Sequence, residues 1–398
     1  MKSFRASYIA LLIAETLAIM GFGLSFPVIP LFLEEDIGIT DPVKLKAWVG
    51  LIQSCAAIAM AIFAPIWGHL ADIYSRRAML LRAMFGGALV ISLMTIVNSP
   101  WQLLVLRSIQ GCVTGTVAAA TVLTASISPA AKVALALGLL QTGIAVGNSL
   151  GPLVGGVISD FFGYRVAFFS TSVFLALAGF IVLKWVKEDY RPSIEKKAKK
   201  FSLIPDIRPI TASPLLITIM LITLGVQAAN AAAVPMLPLF LKSLLLNMTE
   251  EPTLIGSSTG IVLGVGAAFA ALAAVLVGKF SFRIGYWKTL FYCLAAGAAF
   301  TIPQTFVTNM YQLTVLRALS SFFIGGTLPV INAIIAVSSE KENQGAIYGV
   351  NSSLAAAGMA LGPLIGSASA MLNYRAMFIA SALILGISAW QTKKRARP

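Results

Sequence analysis

Apolar residues along this chain form long runs separated by short polar segments, and the runs predict membrane-spanning helices. A helix needs roughly 20 mostly apolar residues to cross the hydrocarbon core of a bilayer. Unbroken runs of this length also exclude a membrane β-barrel, whose strands alternate between apolar and polar residues. Twelve spans are predicted, at residues 6–33, 47–70, 79–97, 101–125, 133–158, 166–186, 213–241, 254–278, 289–307, 311–336, 345–372 and 376–391.

The composition supports a membrane protein and excludes the main soluble classes. Of the 398 residues, 58% are hydrophobic and 11% are charged, whereas about 25% of residues are charged in a typical soluble domain. Cys55, Cys112 and Cys293 all fall within predicted spans, where we expect them to pack as small apolar side chains. A soluble enzyme, a nucleic-acid reader and a disulfide scaffold are therefore disfavoured.

The basic residues predict how the spans are oriented. Of the 29 Lys and Arg residues, 22 fall on the side of the membrane that carries Lys2 and Arg5, and five fall on the opposite side. The positive-inside rule assigns the richer side to the cytoplasm, so both termini are expected there. The net charge of +14 is thus a topology signal, and no nucleic-acid partner is expected. We expect a bacterial cytoplasmic membrane.

The first apolar run is expected to be retained as a span. The basic start of the chain resembles a signal peptide, but Glu15 interrupts the apolar core and the run continues to Leu33. A cleaved signal has a shorter apolar region. We therefore count this run as the first of the twelve helices.

An internal repeat divides the chain into two similar halves. Three matched pairs of segments, at offsets of 208 to 211 residues, are Ser25–Leu33 with Val234–Leu241, Trp101–Arg107 with Tyr311–Arg317, and Leu150–Gly155 with Leu361–Gly366. Such a duplication predicts two parallel six-helix bundles, which is one of the designs for alternating access in transporters. The predicted domains are residues 1–186, a basic cytoplasmic linker at 187–211, and residues 212–398.

Three charged residues lie deep inside predicted spans, away from the span ends: Glu15, Arg107 and Arg317. A charge at mid-bilayer costs about 2.5–3.5 kcal/mol or more, so each is a candidate functional residue. Counted along their helices, Glu15 and Arg107 differ in depth by only about 5 Å. We expect them to interact if helices 1 and 4 are adjacent, and a carboxyl whose surroundings change with conformation suits proton coupling.

Sparse polar and aromatic residues on other spans predict a substrate cavity. Phe22 and Phe26 follow Glu15 at seven and eleven residues, on the same helical face. An apolar cavity with few polar groups accepts lipophilic molecules, including cations held by aromatic rings. The predicted substrate-contacting residues are Glu15, Phe22, Phe26, Gln141, Asn148, Gln227, Asn230, Arg317 and Tyr348.

The loop after helix 2, Gly68-His-Leu-Ala-Asp72-Ile-Tyr-Ser75-Arg76-Arg77, resembles motif A of the major facilitator superfamily. In that family the motif's acidic and basic residues form a charge lock between domains. Gly68, Asp72, Arg76 and Arg77 match the pattern, while Ile73 and Ser75 replace the usual Arg and Gly. The resemblance implies a conformational latch formed by Asp72 with Arg76 or Arg77.

Two further motifs extend the resemblance. Leu103–Gly115 looks like motif B, whose arginine, here Arg107, is implicated in proton transfer. Helix 5 resembles motif C, the antiporter signature, at Gly147, Gly151, Pro152, Gly155 and Gly156. The glycines also predict close helix packing on their own account, and the proline permits a kink.

Together these motifs and the duplication resemble a twelve-helix drug/proton antiporter. The resemblance implies an exporter of lipophilic small molecules and drugs, driven by protons that Glu15 binds and Arg107 tunes. No catalytic residue, metal site or cofactor is expected; the proton gradient supplies the energy, and the protein is expected to be a monomer in the bilayer.

Other functions remain open at this point. A carrier of the same fold could be dedicated to one physiological cargo, such as a siderophore, metabolite or lipid. A non-transporting receptor on this fold is a further alternative. A membrane enzyme is disfavoured because the sequence has a single histidine and no recognisable nucleophile or metal motif.

Overall fold

A computed structural model describes residues 2–129, 132–188, 213–246, 254–339 and 344–395. Side chains are described throughout these ranges except at 2–5, 68–69, 71–73, 134, 345–346 and 395. The expected linker, 187–211, therefore lies outside the described residues apart from Lys187 and Glu188. Within the described residues the chain is helical, with no strand.

Six helices form the first half of the described chain. They are α1 (Lys2–Ser25, continued by Val28–Leu31 and a π-helical turn at Phe32–Asp36), α2 (Pro42–Ile73), α3 (Arg76–Met94), α4 in two segments named α4a (Pro100–Val113) and α4b (Thr116–Ile127), α5 (Val133–Phe162) and α6 (Tyr164–Trp185).

Six more helices form the second half. They are α7 (Pro214–Ala233, continued by a 3₁₀ turn at Val234–Met236 and by Leu237–Leu246), α8 (Ile255–Ile284), α9 (Tyr286–Thr301, continued by a 3₁₀ turn at Ile302–Phe306), α10 (Met310–Gly325 and Thr327–Ser338), α11 (Gln344–Leu372) and α12 (Ala376–Arg395).

All twelve predicted spans coincide with these helices. Within the described residues, eleven spans are long and apolar enough to cross a membrane; α9, with 16 residues in its α-helical part, needs its 3₁₀ turn to approach that length. The chain is therefore a multi-pass membrane protein. Because each helix crosses in the opposite direction to the one before, α1 begins and α12 ends on the same side. We call this the terminal side and the other the opposite side.

The interruptions in the helices follow from their sequences. Pro27 and Pro235, which lie at matched positions in the repeat, end the regular parts of α1 and α7 because proline lacks a backbone donor. The break in α4 differs from the break at the matching position of α10, where Gly326 has φ −71°. In α4, Gly115 has φ +130°, a conformation that side-chain-bearing residues rarely adopt. The break places the start of α4b inside the bundle.

The two halves meet along two pairs of helices. Helices α1 to α6 pack mainly on one another, as do α7 to α12, while α5 packs against α8 and α2 against α11 across the halves. In terms of the repeat, each half contributes its second and fifth helices. The interface thus has the approximate twofold symmetry that the duplication predicts.

The glycines of motif C hold α5 against α1 within the first half. A Cβ at Gly147 would lie 2.8 Å from the Thr16 carbonyl, and one at Gly151 would lie 2.7 Å from the Met20 carbonyl. Gly155 approaches the Leu24 backbone even more closely. In the second half, Gly358, Gly362 and Gly366 hold α11 against α7 in the same way. Close helix approach requires small residues at these positions.

Candidate transport pathway

Contact between the halves is concentrated on the opposite side of the bundle. Gly156 of α5 meets the backbone of Gly256 at the start of α8. Going deeper, Gly260 packs on Pro152 and Leu153, and Gly264 packs on Ser149 and Leu153. Backbone-to-backbone packing of this kind leaves no passage between α5 and α8 on that side.

Polar contacts reinforce this closure. Both carboxylate oxygens of Asp160, on α5, accept backbone hydrogen bonds from the start of α8, from Gly256 at 2.8 Å and from Ser257 at 2.7 Å. A carboxylate at a helix N-terminus is favoured by unpaired N–H groups and by the helix dipole. Asp160 therefore ties the two halves together at the edge of the interface.

A second group of contacts joins α7 to the end of α1. Lys242 lies 3.0 Å from a Glu34 oxygen and 2.7 Å from a Glu35 oxygen. Nearby, the Lys46 ammonium lies 4.0 Å from the centre of the Tyr374 ring. Burial raises the pKa of the Tyr374 phenol, and the Glu34 carboxylate raises it further, so the ring stays neutral beneath the cation.

Toward the terminal side the halves separate. The face of α5 that contacts α8 carries Asp160, Leu153 and Ser149. Toward the terminal side, the same face of α5 carries Thr142 and Leu135. Thr142 and Leu135 are exposed, Leu135 at 64%. On α8, Val275 is likewise 70% exposed. The interface is therefore closed on the opposite side and open on the terminal side.

Glu15 lies fully enclosed in the first half. Its side chain is 0% exposed, and neither carboxyl oxygen has a hydrogen-bond partner among the described residues. The Thr116 hydroxyl, in the first turn of α4b, is near enough to interact with the carboxyl. The break in α4 thus brings a helix N-terminus, with its unpaired N–H groups, next to the only acid deep within the described helices.

Arg107 does not pair with Glu15, contrary to the expectation from their depths. Its guanidinium donates hydrogen bonds to the Gln53 side chain at 2.6 Å and to the Gln110 side chain at 2.8 Å. Arg107 lies on α4a, which packs on α2, whereas Glu15 faces α4b. The break in α4 separates the two charges along the helix, and depth alone could not reveal it.

Arg317 has a different environment from its counterpart in the repeat. It is 6% exposed, as enclosed as Arg107 at 7%. Among the described residues, however, its guanidinium donates no hydrogen bond and forms no ion pair. The arginines at the matching positions of the two halves therefore have different surroundings. Arg107 is hydrogen-bonded to two amide side chains, and Arg317 is bonded to none among the described residues.

Gln141 and Asn148 lie where a pathway residue is expected. Both are exposed, and they fall seven residues apart on one face of α5. The lipid-facing stripe of the same helix, which includes Val146, Leu150 and Val157, lies on the other side. Polar residues placed between the α1-facing and α8-facing sides point into the space between the halves.

The remaining predicted contact residues divide between two environments. Phe22 packs inside the first half, where its ring lies near Gly87 of α3, so the structure does not place it on the interface between the halves. The Tyr348 hydroxyl donates to the Asn332 carbonyl at 2.8 Å within the second half. Phe26 and Gln227 are half-buried and Asn230 is exposed. Their roles as pathway residues stay predictions.

The motif A segment forms contacts within the first half. The Glu188 carboxylate, just after α6, accepts hydrogen bonds from the Ser75 hydroxyl at 2.7 Å and from the Arg77 backbone N–H at 2.9 Å. The Arg77 guanidinium donates to the Val182 and Leu183 carbonyls. Ser75, which replaces the usual glycine, thereby gains a structural role. Gly68 has no side chain, and the side chain of Asp72 lies outside the described residues, so the expected latch does too.

Sequence reasoning missed the contacts that close the opposite side. Asp160 and Lys242 stand at helix ends, where charged residues are common, and the partner of Asp160 is backbone, which has no sequence signature. Gln53 was missed for the same reason, since an isolated amide on a membrane helix has many roles. The scarcity of acidic residues, 15 in the chain, was the one available signal.

Comparison with known proteins identifies related sequences. The sequence profile described as "Major Facilitator Superfamily" matches residues 11–310 and 288–396. The multidrug resistance protein MdtG of Enterobacter lignolyticus is 33% identical over 372 residues, which cover 93% of this chain and 87% of that protein. MdtG of Salmonella heidelberg is 33% identical over 384 residues, covering 94% and 92% of the two chains.

Solved structures share the fold at low sequence identity. The nucleoside transporter NupG superposes with a TM-score of 0.80 at 14% identity, covering 98% of this chain and all of that one. A bacterial homologue of the human lysosomal transporter Spinster, in an inward-facing and occupied conformation, gives 0.79 at 13% identity, covering 98% and 96%. Both are transporters with the same helical arrangement.

Proposed function

The chain belongs to the major facilitator superfamily, and from that premise we propose that it is a proton-coupled exporter of lipophilic small molecules. Membership makes it a transporter rather than an enzyme. Relatives named for multidrug resistance cover nearly the whole chain, which supports export of drug-like compounds. The observation that carries proton coupling is Glu15, which is fully buried and unpaired beside a helix break.

The proposed mechanism begins from the conformation described above. With the termini in the cytoplasm, as the distribution of basic residues predicts, the terminal side is the cytoplasmic side and this state is inward-facing. Cargo enters between the halves from the cytoplasm or the inner leaflet. Rocking of the halves then breaks the contacts of Asp160 and Lys242 and opens the other face.

Glu15 couples this movement to protons. An ionised carboxylate at this position would have no compensating cation, so the inward-facing state favours the neutral, protonated form. A shift of α1 against α4b changes the contact between the carboxyl and the start of α4b, whose N–H groups favour a negative charge. One proton is then bound on one side and released on the other while cargo moves in the reverse direction.

Arg107 supports the coupling indirectly. Through Gln53 it connects α4a to α2, and α2 belongs to the interface between the halves. A movement at that interface therefore reaches the helix that carries Thr116. The proton gradient is the proposed energy source, with no cofactor, and a monomer in a bacterial cytoplasmic membrane is the proposed working unit.

The proposal is tested with purified protein in liposomes and a panel of lipophilic dyes and drugs. Wild type is expected to move cargo against its gradient when a pH gradient is imposed, with matching proton release. Glu15→Gln keeps the size and polarity of the side chain but cannot release a proton. It is expected to abolish gradient-driven transport while cargo exchange across the membrane continues.

Two outcomes would contradict the proposal. Undiminished proton-driven transport by Glu15→Gln would remove Glu15 from the mechanism. Absence of flux for every lipophilic compound, with the protein correctly folded, would favour a carrier dedicated to one physiological cargo.

A further inference from the structure

The repeat places one arginine at the same position in each half, and the two have different partners. Arg107 and Arg317 are both almost fully buried. Arg107 is satisfied by two glutamine side chains. Arg317 has no partner among the described residues.

The sequence of the second half explains why Arg317 lacks the two amide partners of Arg107. Gln110 is replaced at the matching position by Ser320, whose hydroxyl donates to the Arg317 backbone carbonyl and accepts from Gln304, not from the guanidinium. Gln53 is replaced by the apolar stretch 261–263 on α8. The second half therefore has neither amide at the matching positions, although it has the arginine.

Among the described residues of the second half there is no acidic residue to take their place. From residue 213 to the end of the chain the sequence contains four acids, Glu250, Glu251, Glu340 and Glu342. All four lie outside the described residues. Arg317 lies seven residues into α10, about 10 Å from the opposite side of the bundle. A cation at that depth without a counter-charge is costly, and such residues in transporters mark substrate or ion pathways.

The Arg317 guanidinium, although almost fully buried, is not completely sealed from accessible space. The Nε of Arg107 is fully enclosed and unpaired, while no nitrogen of Arg317 is among the fully enclosed, unpaired atoms. Since the Arg317 nitrogens lack partners as well, they retain contact with accessible space. Beside the stem of Arg317, α8 carries Gly266, where an added Cβ would lie 3.6 Å from the Arg317 Cγ. The stem of the side chain is packed, and its head has no hydrogen-bond partner among the described residues.

We propose that Arg317 binds an anionic group of the cargo, such as a carboxylate, phosphonate or sulfonate, in the second half. A planar guanidinium with free donors suits bidentate binding of these groups. The site extends the cargo range to lipophilic acids and zwitterions, since Glu15, the deep acid, is enclosed and faces away from the path. This inference rests on the proposed function as an exporter.

The test uses three probes that share one ring system and differ in charge: 1-naphthoate, 1-naphthamide and 1-naphthylmethylammonium. Binding to detergent-purified protein is measured by calorimetry for wild type, Arg317→Gln, Arg317→Lys and Arg375→Gln. Arg375→Gln is the matched control, because it removes the same charge from an exposed loop of the same half.

Wild type and Arg375→Gln are expected to bind the carboxylate at least about tenfold more tightly than the amide, as loss of a charge-assisted bond implies. Arg317→Gln is expected to lose that preference and keep its affinity for the amide, and Arg317→Lys to keep part of the preference. Equal binding of carboxylate and amide by wild type, or an unchanged preference in Arg317→Gln, would overturn the assignment, as would binding of none of the probes.

The outcomes separate this inference from the proposed function. Binding of the ammonium and amide probes but not the carboxylate, with proton-driven export intact, removes the anion site and leaves the exporter. Carboxylate binding that depends on Arg317, without any proton-coupled flux, keeps the site and removes the exporter. If Arg317 instead only meets Glu15 in the outward-facing state, Glu15→Gln will shift the conformational equilibrium while carboxylate binding shows no dependence on Arg317.

Discussion

Asp160 offers the most direct test of how the two halves are held together. It is the only described acid that accepts backbone hydrogen bonds from the other half, at 2.8 and 2.7 Å. Replacing it with alanine removes both bonds and the charge at the start of α8. Because these bonds exist only when the opposite side is closed, their loss should raise the free energy of the closed state selectively.

The size of the effect follows from the geometry. A hydrogen bond to a charged group contributes about 1.5–3 kcal/mol net. Two such bonds, partly exposed to solvent at the membrane boundary, give about 3 kcal/mol, which corresponds to roughly a 100-fold shift toward the open state. Asparagine keeps one acceptor oxygen and loses the charge, so Asp160→Asn should shift the equilibrium by about tenfold.

The assay is a distance measurement by pulsed electron paramagnetic resonance in liposomes. Spin labels at Thr40 and Thr308 report the opposite side of the first and second halves, in a background where the three native cysteines are replaced. Asp160→Ala should populate longer distances than wild type does, with Asp160→Asn intermediate. Asp41→Ala is the matched control, because Asp41 caps α2 within its own half.

Two results would refute the reasoning. An unchanged distance distribution in Asp160→Ala would mean that backbone packing at Gly156 and Gly256 closes the interface without help from the carboxylate. An equal shift in Asp41→Ala would mean that helix capping in general, rather than a link between the halves, sets the equilibrium.

Three further predictions concern packing, buried charge and the motif A segment. Gly155→Val should lower the unfolding temperature strongly, since a Cβ there overlaps the α1 backbone and overpacking costs about 1–3 kcal/mol or more. Gly138→Ala should not lower it, because the space around Gly138 is open. An equal loss of stability in both variants would contradict the packing argument. Gln53→Leu leaves Arg107 with one of its two side-chain acceptors and should cost about 1–3 kcal/mol, measured by denaturant unfolding in detergent; no change would mean that water satisfies the arginine. Ser75→Gly restores the family's usual residue but removes a helix cap, which costs only a few tenths of a kcal/mol when glycine is the replacement. It also removes the hydrogen bond to the Glu188 carboxylate, so the total destabilisation should be about 1 kcal/mol; an increase in stability would refute the role given to that hydroxyl.

Some features of the candidate site could be predicted from the sequence and others could not. Arg107 shows the reason. Rise per residue gave the depths of Glu15 and Arg107, but the direction of each side chain around its helix depends on neighbours. The break at Gly115 turned α4 so that one of its segments faces α2 and the other faces α1. A glycine in a membrane helix is usually a packing residue, so its positive φ had no distinct sequence signal.

The sequence by itself determined the number of spans, the duplication, the family and the short list of intramembrane charges. These depend on local hydropathy and on residue identity, which are properties of the chain. Only the tertiary structure decided that Glu15 is unpaired, that Arg107 binds two glutamines while Arg317 binds none, and that Asp160 closes one side of the interface. Those facts depend on which helix faces lie together and on backbone groups that every residue shares, so no pattern along the chain can encode them directly.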